Sequence, residues 1–218
     1  MNHLYYISQG KTPEEHLTNI ETAVRGGCRL VQLRLKEIPQ DQILETAIAA
    51  KLICNGNDTC LIINDHPKIA HAINADGVHL GKTDSDIADA RLLLGTTKII
   101  GGTANTLEDC LELIKAGVDY IGLGPYKFTA TKKNLSPVLG ADGIQKIVSS
   151  LRDNGHKVPV YAIGGIVEED VEVLFETGVY GLAVSGLLTN TSAERIGQLR
   201  QYVQEGYKAT RSIENTQY

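Results

Sequence analysis

Residues 115–124, KAGVDYIGLG, compress a helix end, a glycine stop and a short apolar strand into one stretch. Nearly the same text stands at 74–81, NADGVHLG, and at 176–186, ETGVYGLAVSG. Each sets a small or acidic residue near a glycine and then runs into a strand, a faint internal repeat of helix-to-strand junctions. Outward from these junctions, short apolar runs alternate with amphipathic segments along the chain. Strands are expected over 4–7, 29–34, 60–63, 77–80, 98–101, 119–123, 159–163 and 181–184. Thr12 followed by Pro13 predicts a capped helix start, and Gly26-Gly27 its stop. Pro39 opens a second helix, with Ile43, Leu44, Ala47, Ile48 and Leu52 on its buried side. Further helices are expected over 67–73, 87–94, 106–116, 140–151, 167–176 and 193–204.

Eight βα units predict a parallel sheet, and the repeat favours closure into a single-domain (βα)8 TIM barrel over 1–206. Residues 207–218 read as a polar, frayed tail. A doubly wound sheet would want a glycine fingerprint after the first strand, which Tyr5-Tyr6-Ile7-Ser8-Gln9-Gly10 lacks. Functional groups of a barrel gather at the C-terminal strand ends.

The chain has 218 residues, 42% of them hydrophobic, enough for one sizeable core. A net charge of -5 gives no general affinity for nucleic acid or an acidic membrane surface. No apolar run is long enough to span a bilayer. The start, MNHLYYIS, lacks a basic region followed by a long apolar one, so a cytoplasmic protein is expected. The four cysteines, Cys28, Cys54, Cys60 and Cys110, show no CxxC spacing and predict no disulfide framework. Cys28 and Cys110 read as buried thiols.

The strand ends carry the chemistry. Gln32, Arg34 and Lys36 alternate onto one side of strand two, while Val31, Leu33 and Leu35 face the helices. Inward cations need an anionic partner, whether a ligand or a neighbouring carboxylate. Asn64 and Asp65 end strand three, and Asp84 follows strand four. These are hard oxygen donors, which suit Mg²⁺ rather than Zn²⁺. His66, His71 and His79 do not match a zinc spacing. His79 reads as a hydrogen-bonded core residue or one facing the barrel. Asp76 reads as a turn or cap residue, and Asp86 and Asp89 as helix surface. YAIGG and GLAVSG end strands seven and eight. Gly164, Gly165, Val184 and Ser185 there could donate backbone N–H groups to one phosphate, or the glycines could simply turn the chain. After strand six, residues 125–137 form a polar loop with Thr129, Thr131 and Lys132. A metal flanked by Arg34, Lys36 and Lys132 suits a departing diphosphate. There is no Walker loop and no nucleophile elbow.

QLRLK, INDHPKIA, ADGVHLGKTD, DYIGLGPYKFTATK, YAIGGI and GLAVSG occur in this order, and together they resemble the thiamine-phosphate synthase family over nearly the whole chain. The resemblance implies a (βα)8 barrel and a Mg²⁺-dependent transferase. Its reaction joins 4-amino-5-hydroxymethyl-2-methylpyrimidine diphosphate to 4-methyl-5-(2-phosphoethyl)thiazole and releases diphosphate. It implies that Gln32, Arg34 and Lys36 meet the pyrimidine diphosphate, Asn64 holds its diphosphate, and Asp65 and Asp84 bind Mg²⁺. Thr103, usually Ser in the family, would lie near the diphosphate and the pyrimidine amine. Thr129 and Thr131 would bind near the thiazole phosphate, Lys132 would contact the diphosphate, and Gly165, Val184 and Ser185 would receive the thiazole phosphate. Arg34, Lys36, Thr103 and Lys132 are thus the expected catalytic set. Two positions depart from the family pattern: Lys82 replaces a Gln, and Lys127 replaces an aromatic residue. An expectation of tuning follows for both. Two rivals stay open, a thiazole tautomerase on the same barrel and a non-catalytic barrel that senses thiamine phosphate. Nothing in the residues sets the oligomeric state, so a homo-oligomer stays open.

Overall fold

The structure is a computed structural model and describes residues 2–128 and 137–214, without the side chains of 211–214. Eight parallel strands close on themselves in chain order. They are β1 (Leu4–Ile7), β2 (Leu30–Leu33), β3 (Cys60–Asn64), β4 (Gly77–Leu80), β5 (Ile99–Ala104), β6 (Tyr120–Leu123), β7 (Val160–Ile163) and β8 (Gly181–Val184). Closure is completed where Tyr5 of β1 stands opposite Ala183 of β8. The outer ring is α1 (Pro13–Arg25), α2 (Gln40–Asn55), α3 (Pro67–Ala72), α4 (Ile87–Leu94), α5 (Leu107–Ala116), α6 (Gly140–Asp153), α7 (Val171–Glu176) and α8 (Ala193–Glu214). The expected barrel is therefore the observed fold.

Local chemistry explains the element ends. Thr12 accepts the Glu15 N–H at 3.3 Å with Pro13 in the first turn of α1. Thr106 and Asp109 form a reciprocal capping box on α5, and Gly117 closes that helix in the left-handed region at φ 85°. Asp86, expected on a helix surface, is instead the N-cap of α4 and accepts from the Ala88 N–H at 2.7 Å.

The repeated junctions have a structural role at the N-terminal rim. Asp76 accepts from the Leu61 N–H and the Lys51 ammonium, each at 2.8 Å. Asp119, its counterpart, accepts from the Ile100 N–H at 2.7 Å and the Arg91 guanidinium at 2.6 Å. Each carboxylate thus satisfies a backbone donor where the preceding strand begins.

Two apolar layers form. Val31, Leu33, Leu61, Ile63, Val78 and Leu80 belong to the layer packed under the helices, while Tyr5, Leu30, Ile62, Tyr120, Tyr161 and Ala183 fill the barrel. The three interior tyrosines meet edge to face, with centroids 5.6–5.7 Å apart.

Several expectations change. Strand two stops at Leu33, so Arg34 and Lys36 lie in the loop beyond it. Strand five is longer, which puts Thr103 inside it. A 3₁₀ turn, Glu168–Asp170, precedes the last α-helical stretch before β8. On α2, Ile48 and Leu52 are exposed, and the buried face is Ile43, Thr46, Ala47, Ala50 and Cys54. Both stripes fit a helical period, and packing against α1 and β3 selects the one with smaller side chains. Helix α8 continues past Gly206 to Glu214, where a frayed tail was expected. Gly206 lets the helix approach Phe175, whose ring carbon would lie 3.1 Å from an added Cβ, and Tyr207 stacks on His3 at 3.5 Å.

Candidate functional site

Gln32, Asn64 and Thr103 are the described site residues held by the strands closest to the barrel interior, and all three are buried. Gln32 donates through Nε2 to the Tyr5 hydroxyl at 2.7 Å. Asn64 ends β3, and its buried Nδ2 has no hydrogen-bond partner among the described residues. An unpaired buried donor is costly, and an anionic oxygen at the barrel mouth would satisfy it. Thr103 is hydrogen-bonded to the ring of His79, with Oγ1 2.9 Å from Nε2. His79 is a buried, hydrogen-bonded residue inside the barrel.

The charged groups sit just above. Asp65, in the left-handed region at φ 64°, anchors its N–H on the His79 carbonyl at 2.9 Å. Its carboxylate pairs with the Lys36 ammonium. The Asp84 carboxyl lies within hydrogen-bond reach of Asp65 and also accepts the Gly81 N–H at 2.6 Å. Burial opposes charge on Asp65, but the Asp84 carboxyl and Lys36 outweigh it and hold Asp65 below the usual range. Burial and the neighbouring Asp65 push Asp84 above it. Burial also works against the Arg34 charge and lowers its pKa, an effect that Asp65 offsets only in part. Arg34, Lys36, Asp65 and Asp84 thus lie near one another beside Asn64, with the ion pair to a neighbouring carboxylate realised for Lys36.

The donor set fits a small hard dication. Asp65 and Asp84 set two carboxyl groups side by side, and Mg²⁺ is commonly held by one or two carboxylates plus phosphate oxygens and water. Among the described residues no group of three or more His, Cys, Asp or Glu could hold a metal, so substrate oxygens would complete the shell. His66 and His71 add no ligand here.

At the ends of β7 and β8, Gly164 and Gly165 adopt φ 98° and 67°. A side chain on Gly164 would strike Pro125 Cβ at 2.8 Å, and one on Gly165 the Phe128 carbonyl oxygen at 2.7 Å. The pair both turns the chain and admits the start of the β6–α6 loop. Ser185 donates to Gln9 Oε1 at 3.1 Å, while the Val184 side chain packs toward the helices and its backbone stands opposite Tyr6 in the barrel. Thr129, Thr131 and Lys132 lie outside the described residues.

The two departures from the family pattern have partners. Lys82 pairs with Asp109 at 2.5 Å. Lys127 pairs with Asp170 at 2.6 Å and lies over the Tyr126 ring at 5.1 Å. Asp170 also accepts from the Tyr126 hydroxyl at 3.1 Å and the Val167 N–H at 3.0 Å. Burial resists its charge, but these donors, Lys127 foremost, hold its carboxyl below the usual range. A lowered folded pKa stabilises above the unfolded value and is lost as pH falls through the folded one. Asp170→Asn is therefore expected to cost about 1–3 kcal/mol at neutral pH. In thermal melts the gap to the parent should shrink as pH drops below about 4; a constant gap would show that the carboxylate charge contributes nothing.

Sequence reasoning missed Tyr5, Tyr120 and Gln9. The period of two in the strands already placed Tyr5 and Tyr120 on inward positions, a usable signal. Gln9 stands in a loop and carried none.

Comparison with known proteins identifies the family. Residues 4–188 match the model of the family described as TMP-TENI, thiamine monophosphate synthase. The chain is 50% identical over 190 residues to the thiamine-phosphate synthase of Flavobacterium psychrophilum, covering 87% of this chain and 92% of that one. It is 45% identical over 185 residues to the enzyme of that name from Bacteroides fragilis, covering 85% and 91%. Among solved structures, thiamine phosphate pyrophosphorylase from Pyrococcus furiosus superposes with a TM-score of 0.80 at 30% identity, covering 93% and 96%.

Proposed function

This chain belongs to the thiamine monophosphate synthase family, and from that premise we propose how its site performs the family reaction. It is a transferase that joins the aminopyrimidine diphosphate to the thiazole phosphate, giving thiamine phosphate and diphosphate. The observation that carries the site assignment is the juxtaposition of Asp65, Asp84 and Lys36 beside the unpartnered amide of Asn64. A proton shift on a thiazole needs no such diphosphate cradle, and neither does a sensor of the product.

Arg34 and Lys36 neutralise the diphosphate as it leaves the pyrimidine methylene, and the Asn64 Nδ2 donates to one of its oxygens. Asp65 and Asp84 would hold Mg²⁺, which supplies further neutralisation of the leaving group when bound. Gln32 and Thr103 orient the pyrimidine, whose ring delocalises the positive charge left on the methylene. Gly165, Val184 and Ser185 fix the thiazole phosphate so that the thiazole nitrogen faces that carbon. That nitrogen already carries a lone pair, so no base is required.

The test is diphosphate release from purified protein given both substrates with Mg²⁺. Release should need both substrates; isomerisation of the thiazole tautomer alone, without Mg²⁺, would favour the tautomerase. Lys132→Ala should lower turnover by about 100-fold with little change in thiazole phosphate affinity, while Lys133→Ala should cost little. Equal, near-parental rates for both would remove Lys132 from the mechanism. We keep the cytoplasmic assignment, which the four free thiols support. Among the described residues no helix is long and apolar enough to cross a membrane.

A further inference from the structure

A line of hydrogen bonds crosses the barrel interior beneath the site. Gln32 Nε2 donates to Tyr5 Oη at 2.7 Å, and Tyr5 Oη lies 2.8 Å from Tyr120 Oη. Tyr120 Oη lies 2.9 Å from His79 Nδ1, and His79 Nε2 lies 2.9 Å from Thr103 Oγ1. The line starts on β2 and ends on β5, so it joins two residues assigned to the pyrimidine diphosphate.

Each phenol carries one proton, which sets the direction. Tyr5 accepts from Gln32, and it is buried, so its own proton must go to its other partner, Tyr120. Tyr120 then accepts from Tyr5 and must donate to His79 Nδ1. A doubly protonated imidazole would leave the Tyr120 proton without an acceptor in this line, so His79 is neutral and carries its proton on Nε2. That proton goes to Thr103 Oγ1. The Thr103 hydroxyl proton is not used in the line and is available to a ligand. Burial raises the pKa of both Tyr5 and Tyr120, so both phenols keep their protons. Turned the other way, with its carbonyl oxygen to Tyr5, Gln32 would reverse every bond and commit the Thr103 proton to His79.

We propose that Tyr5, Tyr120 and His79 are positioning residues, a one-way relay by which Gln32 sets the Thr103 hydroxyl as a donor to an acceptor atom of the pyrimidine diphosphate. This rests on the assignment of Thr103 to that substrate. None of the three need touch the reacting atoms.

The tautomer can be read directly in the intact protein. Long-range ¹H–¹⁵N spectra of uniformly labelled protein, with His79 assigned by its loss in His79→Asn, should show Nδ1 unprotonated and Nε2 protonated. Tyr120→Phe should convert His79 to mixed tautomers. It should also raise KM for the pyrimidine diphosphate about tenfold, the size of one lost hydrogen bond, with a smaller change in kcat. Thr103→Val should show a similar KM, and Thr103→Ser should restore the parental one. A proton on Nδ1 in the parent overturns the relay without any variant having to fold. A folded Tyr120→Phe, or Tyr5→Phe, with unmoved His79 signals and unmoved KM also overturns it. Mixed tautomers in Tyr120→Phe with parental KM in both Tyr120→Phe and Thr103→Val would take Thr103 out of the substrate site and overturn the assignment on which the proposal rests.

Discussion

Asp84→Asn is expected to lower the coupling rate by about 100- to 1,000-fold at saturating substrates, the scale of losing one preorganised electrostatic contact. The substitution keeps an oxygen that can accept the Gly81 N–H, now bonded to Asp84 Oδ2 at 2.6 Å. Loop geometry therefore survives and the loss isolates the charge. With one carboxylate gone, Asp65 alone faces the cation, and much more Mg²⁺ should be needed for half-maximal rate. Calorimetric titration of Mg²⁺ in the presence of an unreactive pyrimidine diphosphate analogue gives a readout independent of turnover and should show the same weakening. The metal-free variant should melt no lower than the parent, because two carboxyl groups within hydrogen-bond reach repel when both are charged. Unchanged Mg²⁺ dependence in rate and in calorimetry would take Asp84 out of the metal site.

Gly101→Ala is expected to destabilise the barrel strongly. An added Cβ would lie 2.1 Å from Tyr120 Cζ, 2.3 Å from Cε1 and 2.5 Å from Oη. The ring cannot retreat, since Tyr120 is fully buried and boxed in by Tyr5, Tyr161 and His79. Overpacking of this kind costs about 3 kcal/mol, which lowers Tm by about 6–12 °C for a domain of this size. Activity should fall as well, because Tyr120 carries hydrogen bonds to both Tyr5 and His79. Gly56→Ala is the control: its nearest neighbours to an added Cβ are carbonyl oxygens at 3.8 and 3.9 Å, and its φ is -68°. Equal melting temperatures for the two variants would show that the barrel interior yields more easily than close packing allows.

Much of the candidate site is legible in the sequence. Asn64, Asp65 and Asp84 follow apolar runs that could only be buried strands, so their place at strand ends followed from local pattern. Their mutual contact did not, because it depends on how β3 and β4 pair and on the left-handed turn at Asp65. Lys36 shows the same division. Its place near the C-terminal end of strand two was legible, but the structure puts it in the loop beyond Leu33, and its pairing with Asp65 joins residues 29 positions apart. Lys82 and Lys127 were noticed as departures, but their partners Asp109 and Asp170 lie on other elements.

By itself the sequence determined the alternation of strands and helices, the parallel barrel and the strand ends that carry the chemistry. These follow from side-chain periodicity, capping residues and glycine or proline breaks, all of which act within a few residues. Only the tertiary structure decided which stripe of α2 is buried, how far α8 runs and which polar groups meet inside the barrel. Tyr5 and Tyr120 are 115 residues apart and touch through a 2.8 Å hydrogen bond. Nothing local specifies that contact. It exists because closing eight strands aims their inward side chains at a common axis, where the missing side chain of Gly101 leaves room for the Tyr120 ring and buried polar atoms pair with one another.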